Sequence, residues 1–215
     1  MQEKNWVIET PLEFQCTDNW YLIHGKKYAR VTRINGIIAK PELQNWYAST
    51  GKDKAKEILK KRATFGSTLH KLIEVQLNGG KITEENYDSY LLESMSIFNK
   101  WMKQHSIVPE SIEQHLWSNI YCYAGTSDFI GMIDGKRKIG DWKSSRDVYP
   151  EYWLQLSAYL VAFEEQTGLK LDGAFILQMR DGEYKFQEKT REELLDLFEV
   201  FKAAMIIYRW KYADK

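Results

Sequence analysis

Asp134-Gly135 sits between two short apolar-rich runs. A DG pair so placed is the strongest short-range signal for a β-hairpin, and it fixes the register of everything beside it. With Asp134 and Gly135 as the loop, Ile133 faces Lys136, and counting back along both strands brings Asp128 opposite Asp141. Directly opposed residues share a sheet face, with Cβ atoms roughly 4.5–5.5 Å apart. Lys143, two residues beyond Asp141, lies on the same face. A four-residue loop pairs Asp128 with Lys143 instead and still leaves all three together. A slip of one residue separates Asp128 from the other two.

Two adjacent carboxylates repel unless a cation or a proton lies between them. A hard divalent ion such as Mg²⁺ or Mn²⁺ prefers carboxylate oxygen and keeps positions open for water and phosphate. A lysine ammonium beside it orients water and stabilises charge on a phosphate. The plainer alternative is a salt-bridged surface hairpin, since Asp and Lys are common on strands.

The rest of the chain supplies a frame for that hairpin. Residues 1–50 are irregular in pattern, with turns at Thr10-Pro11 and Lys40-Pro41. Pro41-Glu42-Leu43-Gln44-Asn45-Trp46 reads as a helix with proline in its first turn. Within 52–62, six bases (Lys52, Lys54, Lys56, Lys60, Lys61, Arg62) face two acids (Asp53, Glu57), a local excess of +4. Such a run is ordinarily a solvated helix face. Its place just ahead of the next motif also suits phosphate steering, with Lys56, Lys60, Lys61 and Arg62 as candidate DNA contacts. Leu69, Leu72, Ile73 and Leu77 predict a helix over 64–78, stopped by Gly79-Gly80, with Gly66, His70 and Glu74 along one side.

A second helix is predicted over 84–104, ending before Pro109. From Ile112 the period changes, and strands are expected at 112–123, 125–133 and 137–143. An aromatic-rich amphipathic helix over 149–165 closes at Gly168. Strands at 174–179 and 184–187 flank a second turn, Asp181-Gly182. Thr190 with Glu193 forms a capping box for a last helix to about Tyr212. This order of elements argues for one α/β domain around a mixed sheet.

Composition narrows the partners. Thirty basic and thirty acidic residues leave no net charge, so nucleic-acid binding must rest on a local patch. Only Cys16 and Cys122 are present, too few for a four-thiolate zinc site or an iron–sulfur cluster. Nothing suggests a disulfide framework, which favours a reducing interior. Met1-Gln2-Glu3-Lys4-Asn5-Trp6 lacks a signal-peptide pattern, and no run approaches the ~20 apolar residues that span a bilayer. The expectation is a soluble, cytoplasmic protein without a membrane partner.

Four motifs together resemble the RecB-like branch of the PD-(D/E)XK nuclease superfamily. Gly66-Ser67-Thr68-Leu69-His70-Lys71-Leu72-Ile73-Glu74 is similar to its helical histidine motif, which implies that His70 ligates metal. Gly125-Thr126-Ser127-Asp128 resembles GxxD, and Asp141-Trp142-Lys143 resembles DxK. The resemblance implies Asp128, Asp141 and the Trp142 carbonyl as metal ligands and Lys143 as the catalytic lysine. Gln155-Leu156-Ser157-Ala158-Tyr159 resembles QxxxY, whose two polar groups would address a phosphate or the lysine end. Glu113 stands where the family often carries a strand glutamate.

Each motif alone is weak; all four in order, over 66–159, form a strong signal. A weaker resemblance, to the leader of single-domain phage nucleases and the mitochondrial genome maintenance exonuclease, covers Tyr28-Ala29-Arg30-Val31-Thr32-Arg33-Ile34 and Leu43-Gln44-Asn45-Trp46. The superfamily's proline is absent, Ser127 preceding Asp128, and so is the cysteine cluster of iron–sulfur relatives.

The resemblance implies an α/β fold with a central mixed β-sheet flanked by helices, a PD-(D/E)XK (restriction-endonuclease-like) core. It implies a single domain over 1–215, with 1–62 as leader and basic helix and 63–215 as catalytic core. It implies a DNA exonuclease using one or two Mg²⁺ or Mn²⁺ ions on single-stranded or frayed ends, in recombination or repair, within a bacterial or phage-infected cell. Any unwinding would need a separate helicase or recombination partner. Two other functions fit the same pattern: a structure-selective or sequence-specific endonuclease, and a DNA- or partner-binding module without catalysis.

Overall fold

The computed structural model describes residues 6–11, 13–17 and 20–212, so residues 1–5 of the opening segment lie outside it. The leader holds β1 (Gln15–Cys16), β2 (Trp20–Ile23), β3 (Lys26–Arg30), α1 (Val31–Asn35) and α2 (Pro41–Thr50). Then come α3 (Lys52–Leu77), a 3₁₀ turn at Glu84–Asn86 and α4 (Ser89–Met102). β4 (Ile107–Ser118), β5 (Tyr123–Ile133) and β6 (Lys136–Lys143) form a meander. α5 (Pro150–Thr167), β7 (Gly173–Arg180), β8 (Glu183–Thr190) and α6 (Arg191–Tyr212) complete the chain.

The Asp134-Gly135 turn forms as its sequence demands. Ile133 pairs with Lys136. Asp134 and Gly135 have φ of 51° and 80°, the left-handed pair of a type I′ turn. Asp181-Gly182 repeats this, with φ of 52° and 78°. So does His24-Gly25, with φ of 49° and 73°, between Ile23 and Lys26. This third hairpin corrects the expectation that residues 1–50 are irregular. Its strands are only four and five residues long, and histidine replaces the usual Asn or Asp, so neither periodicity nor turn chemistry stands out.

Other boundaries moved for identifiable reasons. α3 begins at Lys52, twelve residues before the expected 64, because Lys, Ala, Glu and Leu are good helix formers even where Ala55 alone is buried. α4 starts at Ser89 because the Asp88 side chain caps it, accepting from the Leu91 N–H at 2.9 Å. The Thr190–Glu193 capping box is present, the Thr190 N–H donating to Glu193 at 2.8 Å.

The strands form one mixed sheet in the order β1-β2-β3-β5-β6-β7-β8, with β4 paired to β5. β4 runs along one edge of β5 from Tyr123 to Ile133. The other edge is shared. β3 lies parallel to it at Tyr123 and Ala124, and β6 lies antiparallel to it from Phe129 to Ile133. Residues 125–128 fall in the fork between β3 and β6. α1, α5 and α6 cover one face of the sheet through Leu154, Phe163, Phe198 and Phe201 against Ile130, Ile139 and Ile176. α3 and α4 cover the other through Leu69, Ile73, Phe98 and Trp101 against Phe129, Trp142 and Phe175.

Candidate active site

Asp128 and Asp141 alternate with Phe129 and Trp142, so they emerge on the sheet face opposite those rings, at the fork. The paired register of β5 and β6 ends at Phe129–Gly140, one step short of them. Beyond it a side chain takes over the ladder: the Trp142 N–H donates to Asp128 Oδ2 at 2.9 Å. The indole of Trp142 is 1% exposed, fixed among Phe98, Trp101, Phe129 and Phe175. That packing sets where its carbonyl points.

α3 brings His70 to the same place from the other layer. Its Nε2 donates to the Trp142 carbonyl at 2.9 Å, and its Nδ1 lies 3.4 Å from Asp128 Oδ1. Burial pulls the imidazole's pKa down, but the charge and hydrogen bond of Asp128, with Asp141 behind it, push it up to about 9. Burial likewise opposes ionisation of Asp128, yet His70 and Lys143 hold its pKa below the ordinary carboxylate value.

Asp141 is 2% exposed. Burial, with a smaller push from Asp128, raises it to about 6 against the pull of Lys143. The Lys143 ammonium lies 2.5 Å from Asp141 Oδ2. Burial disfavours the Lys143 charge, but the two aspartates outweigh it and keep the ammonium's pKa above normal.

Glu113 joins the group from β4. Its φ of 52° is left-handed, a costly backbone for a non-glycine residue within a strand. Ligand atoms of His70, Glu113 and Asp128 all lie within 4.8 Å of one another. Burial and Asp128 raise the Glu113 carboxyl to about 7. Two carboxylates and an imidazole thus converge, with the Trp142 carbonyl at His70 and Asp141 near enough to Asp128 to feel its charge. Carboxylate and carbonyl oxygens with one imidazole nitrogen are a donor set that suits a hard divalent cation.

Gln155 and Tyr159 sit beside this centre, Tyr159 within the influence of Asp141 and Asp128. The Gln155 amide donates to the Tyr159 hydroxyl at 3.3 Å. Together with Tyr21, Arg30, Thr32 and Thr126 they line a cavity of about 160 Å³. Burial pushes the Tyr159 phenol far above its ordinary pKa, so it stays a neutral donor. Gly125 is the reason Tyr159 fits: a Cβ there would lie 2.5 Å from its ring.

Over Lys143 stands Tyr152, its ring centroid 4.5 Å from the ammonium. Sequence reasoning passed over Tyr152. The signal was there, since 152, 155 and 159 follow the i, i+3, i+7 row of a single helix face. Lys56, Lys60, Lys61 and Arg62 are exposed on the first half of α3, Lys61 paired with Glu57 at 2.8 Å. At a 1.5 Å rise per residue, they begin roughly 12 Å along the helix from His70.

No protein-family model and no curated protein sequence matches this chain. Solved structures do resemble it. The crystal structure of SSO0001 is 15% identical, over 81% of this chain and 74% of that one, with a TM-score of 0.39. LHK-Exo in complex with dAMP is 11% identical, over 86% and 93%, with a TM-score of 0.36. The alkaline exonuclease LHK-Exo from Laribacter hongkongensis is 10% identical over the same shares, with a TM-score of 0.34. No helix among the described residues is long and apolar enough to cross a membrane.

Proposed function

We propose that this chain is a divalent-metal-dependent deoxyribonuclease of the RecB-like branch of the PD-(D/E)XK superfamily. In this reading it is an exonuclease on single-stranded or frayed DNA ends, in recombination or repair. The whole chain acts as one nuclease domain. The observation that carries the proposal is the convergence of His70, Glu113, Asp128, Asp141, Lys143 and the Trp142 carbonyl in the fork.

His70, Asp128, Asp141 and the Trp142 carbonyl would hold Mg²⁺ or Mn²⁺, with Glu113 completing the set. When bound, the ion supplies a Lewis acid for a phosphoryl oxygen and makes water more acidic. The chain's own groups do the rest. Asp141, at about 6, is ionised at neutral pH. Lys143 keeps its proton and presents a fixed positive charge to the phosphate oxygens. The cavity of Gln155, Tyr159, Arg30 and Thr126 offers donors for a phosphate beside the scissile one. The exposed bases of α3 extend that path, contacting backbone without reading sequence.

The test uses end-labelled linear and closed circular single-stranded DNA, each with Mg²⁺, Mn²⁺ or EDTA. Degradation of the linear strand alone, and only with metal, is expected. Cutting of the circle would make the chain an endonuclease. Binding without metal-dependent cleavage would refute the enzyme reading.

A further inference from the structure

α6 turns Leu194, Phe198, Phe201, Ala204, Met205 and Tyr208 to the core. The opposite face of such a helix should be polar. Its first two turns comply: Glu192, Glu193, Asp196 and Glu199 are exposed. The last three do not. Val200 is 52% exposed, Ile206 66%, Ile207 51% and Trp210 80%. Ala203 between them is exposed as well. A single exposed apolar side chain needs no explanation, but a contiguous stripe of them marks a contact surface. Val200, Ala203, Ile207 and Trp210 follow steps of three, four and three, the seam spacing of paired helices.

We propose that this stripe is the interface of a two-fold symmetric dimer, α6 of one copy lying antiparallel on α6 of a second. The stripe is complementary to itself in size. Centred near Met205, the antiparallel register sets Trp210 against Val200 and Ile207 against Ala203, each bulky side chain against a smaller one. Charge favours the same orientation. In this register the acidic first turns of one copy lie away from those of the other. A parallel pairing would stack acid on acid. Glu199 already holds Lys202 of its own helix at 2.7 Å, and Arg209 donates to the Tyr121 carbonyl, so the flanking charges are tied down beside the seam.

Three turns of helix cover roughly 500 Å² per copy, on the order of 1,000 Å² in total, the lower edge of specific association. The dimer is therefore weak and concentration-dependent. α6 lies across the sheet from α3, so the pairing leaves His70's helix and its basic half uncovered.

Sedimentation velocity of the full chain over a concentration series tests this. The wild type should pass from one copy to two as concentration rises. Trp210→Glu and Ile207→Glu should stay single at every concentration, with unchanged melting temperature and nuclease turnover, since both side chains are exposed. On mild oxidation, an equimolar mixture of Ala203→Cys and Ile207→Cys chains should cross-link position 203 of one copy to position 207 of the other. A wild type that stays single throughout, or a Trp210→Glu variant that associates like the wild type, overturns the interface. Cross-links that join 203 only to 203 and 207 only to 207 overturn the antiparallel geometry.

Discussion

β5–β6 and β7–β8 are hairpins with the same turn and different fates. Both close on an Asp-Gly pair with both residues at positive φ. From there β7 and β8 pair without interruption, from Arg180–Glu183 to Gly173–Thr190. β5 and β6 pair only as far as Phe129–Gly140, although both strands continue. Past that point β6 leans on β7, where Asp141 pairs with Ile176 and Lys143 with Gln178. β5 is left facing the fork. A complete ladder satisfies its own donors and acceptors and has nothing to offer a ligand. The interrupted one exposes a carboxylate that takes a main-chain N–H, a carbonyl that takes an imidazole, and room between them.

The sharpest way to break this comparison is to make one substitution in both hairpins. Asp141→Asn should lower cleavage by roughly 10²-fold or more, with an intact circular dichroism spectrum, because the proposed site loses a metal carboxylate. Lys143→Ala should do the same. Asp181→Asn, at the tip of the continuous hairpin, should leave turnover unaltered. Equal turnover in all four proteins would remove the distinction between the two.

Next in size is His70→Ala, which should raise the Mn²⁺ concentration needed for half-maximal activity. It should also change how stability depends on pH in EDTA. His70 is pushed up from 6.5 to about 9, so the folded chain holds this proton more tightly than the unfolded one. Its stabilisation is complete below pH 6.5 and is lost as pH rises through about 9. Melting temperature should fall across that window in the wild type and fall less in His70→Ala. An unchanged metal requirement would make the histidine purely structural.

Tyr152→Leu sharpens the comparison from the helix side. A partly shielded cation–π contact is worth about 1–2 kcal/mol, so turnover should drop about tenfold. Tyr152→Phe should restore most of it, since the ring remains. If Tyr152→Phe is as slow as Tyr152→Leu, the hydroxyl matters and the ring does not. The smallest effect belongs to the bases of α3. Replacing Lys56, Lys60 and Lys61 with Gln in an Asp141→Asn background should flatten the salt dependence of DNA binding. The expected change is about 0.7 in slope per lost phosphate contact with a single strand. An identical slope for unrelated oligonucleotides would leave that run as a solvated surface.

Most of the fold from α3 onward was legible, because its signals are local. A DG turn fixes register by counting, and counting put Asp128, Asp141 and Lys143 on one face. His70 was legible as a polar residue beside the buried stripe of Leu69, Leu72 and Ile73. What escaped depends on long-range pairing. β3 is held by two positions of β5 some ninety residues away, and nothing in Lys26–Arg30 encodes that edge. Without β3 there is no fork, so the gap in the ladder could not be foreseen. Glu113 was singled out by resemblance alone; its positive φ is a feature that isolated sequence does not display. Tyr152 was missed for a simpler reason: its row with Gln155 and Tyr159 was not followed one turn back.

In the proposed site, Trp142 makes plain the demand that a main-chain ligand places on its own side chain. Every amino acid carries a carbonyl, so chemistry puts no constraint on the middle letter of Asp-Trp-Lys. Volume does. The indole wedged among Phe98, Trp101, Phe129 and Phe175 acts as the footing that aims the oxygen. A smaller residue there would leave the donor atom in the formula and lose its bearing. In the proposed site a packing defect and a coordination defect are one lesion.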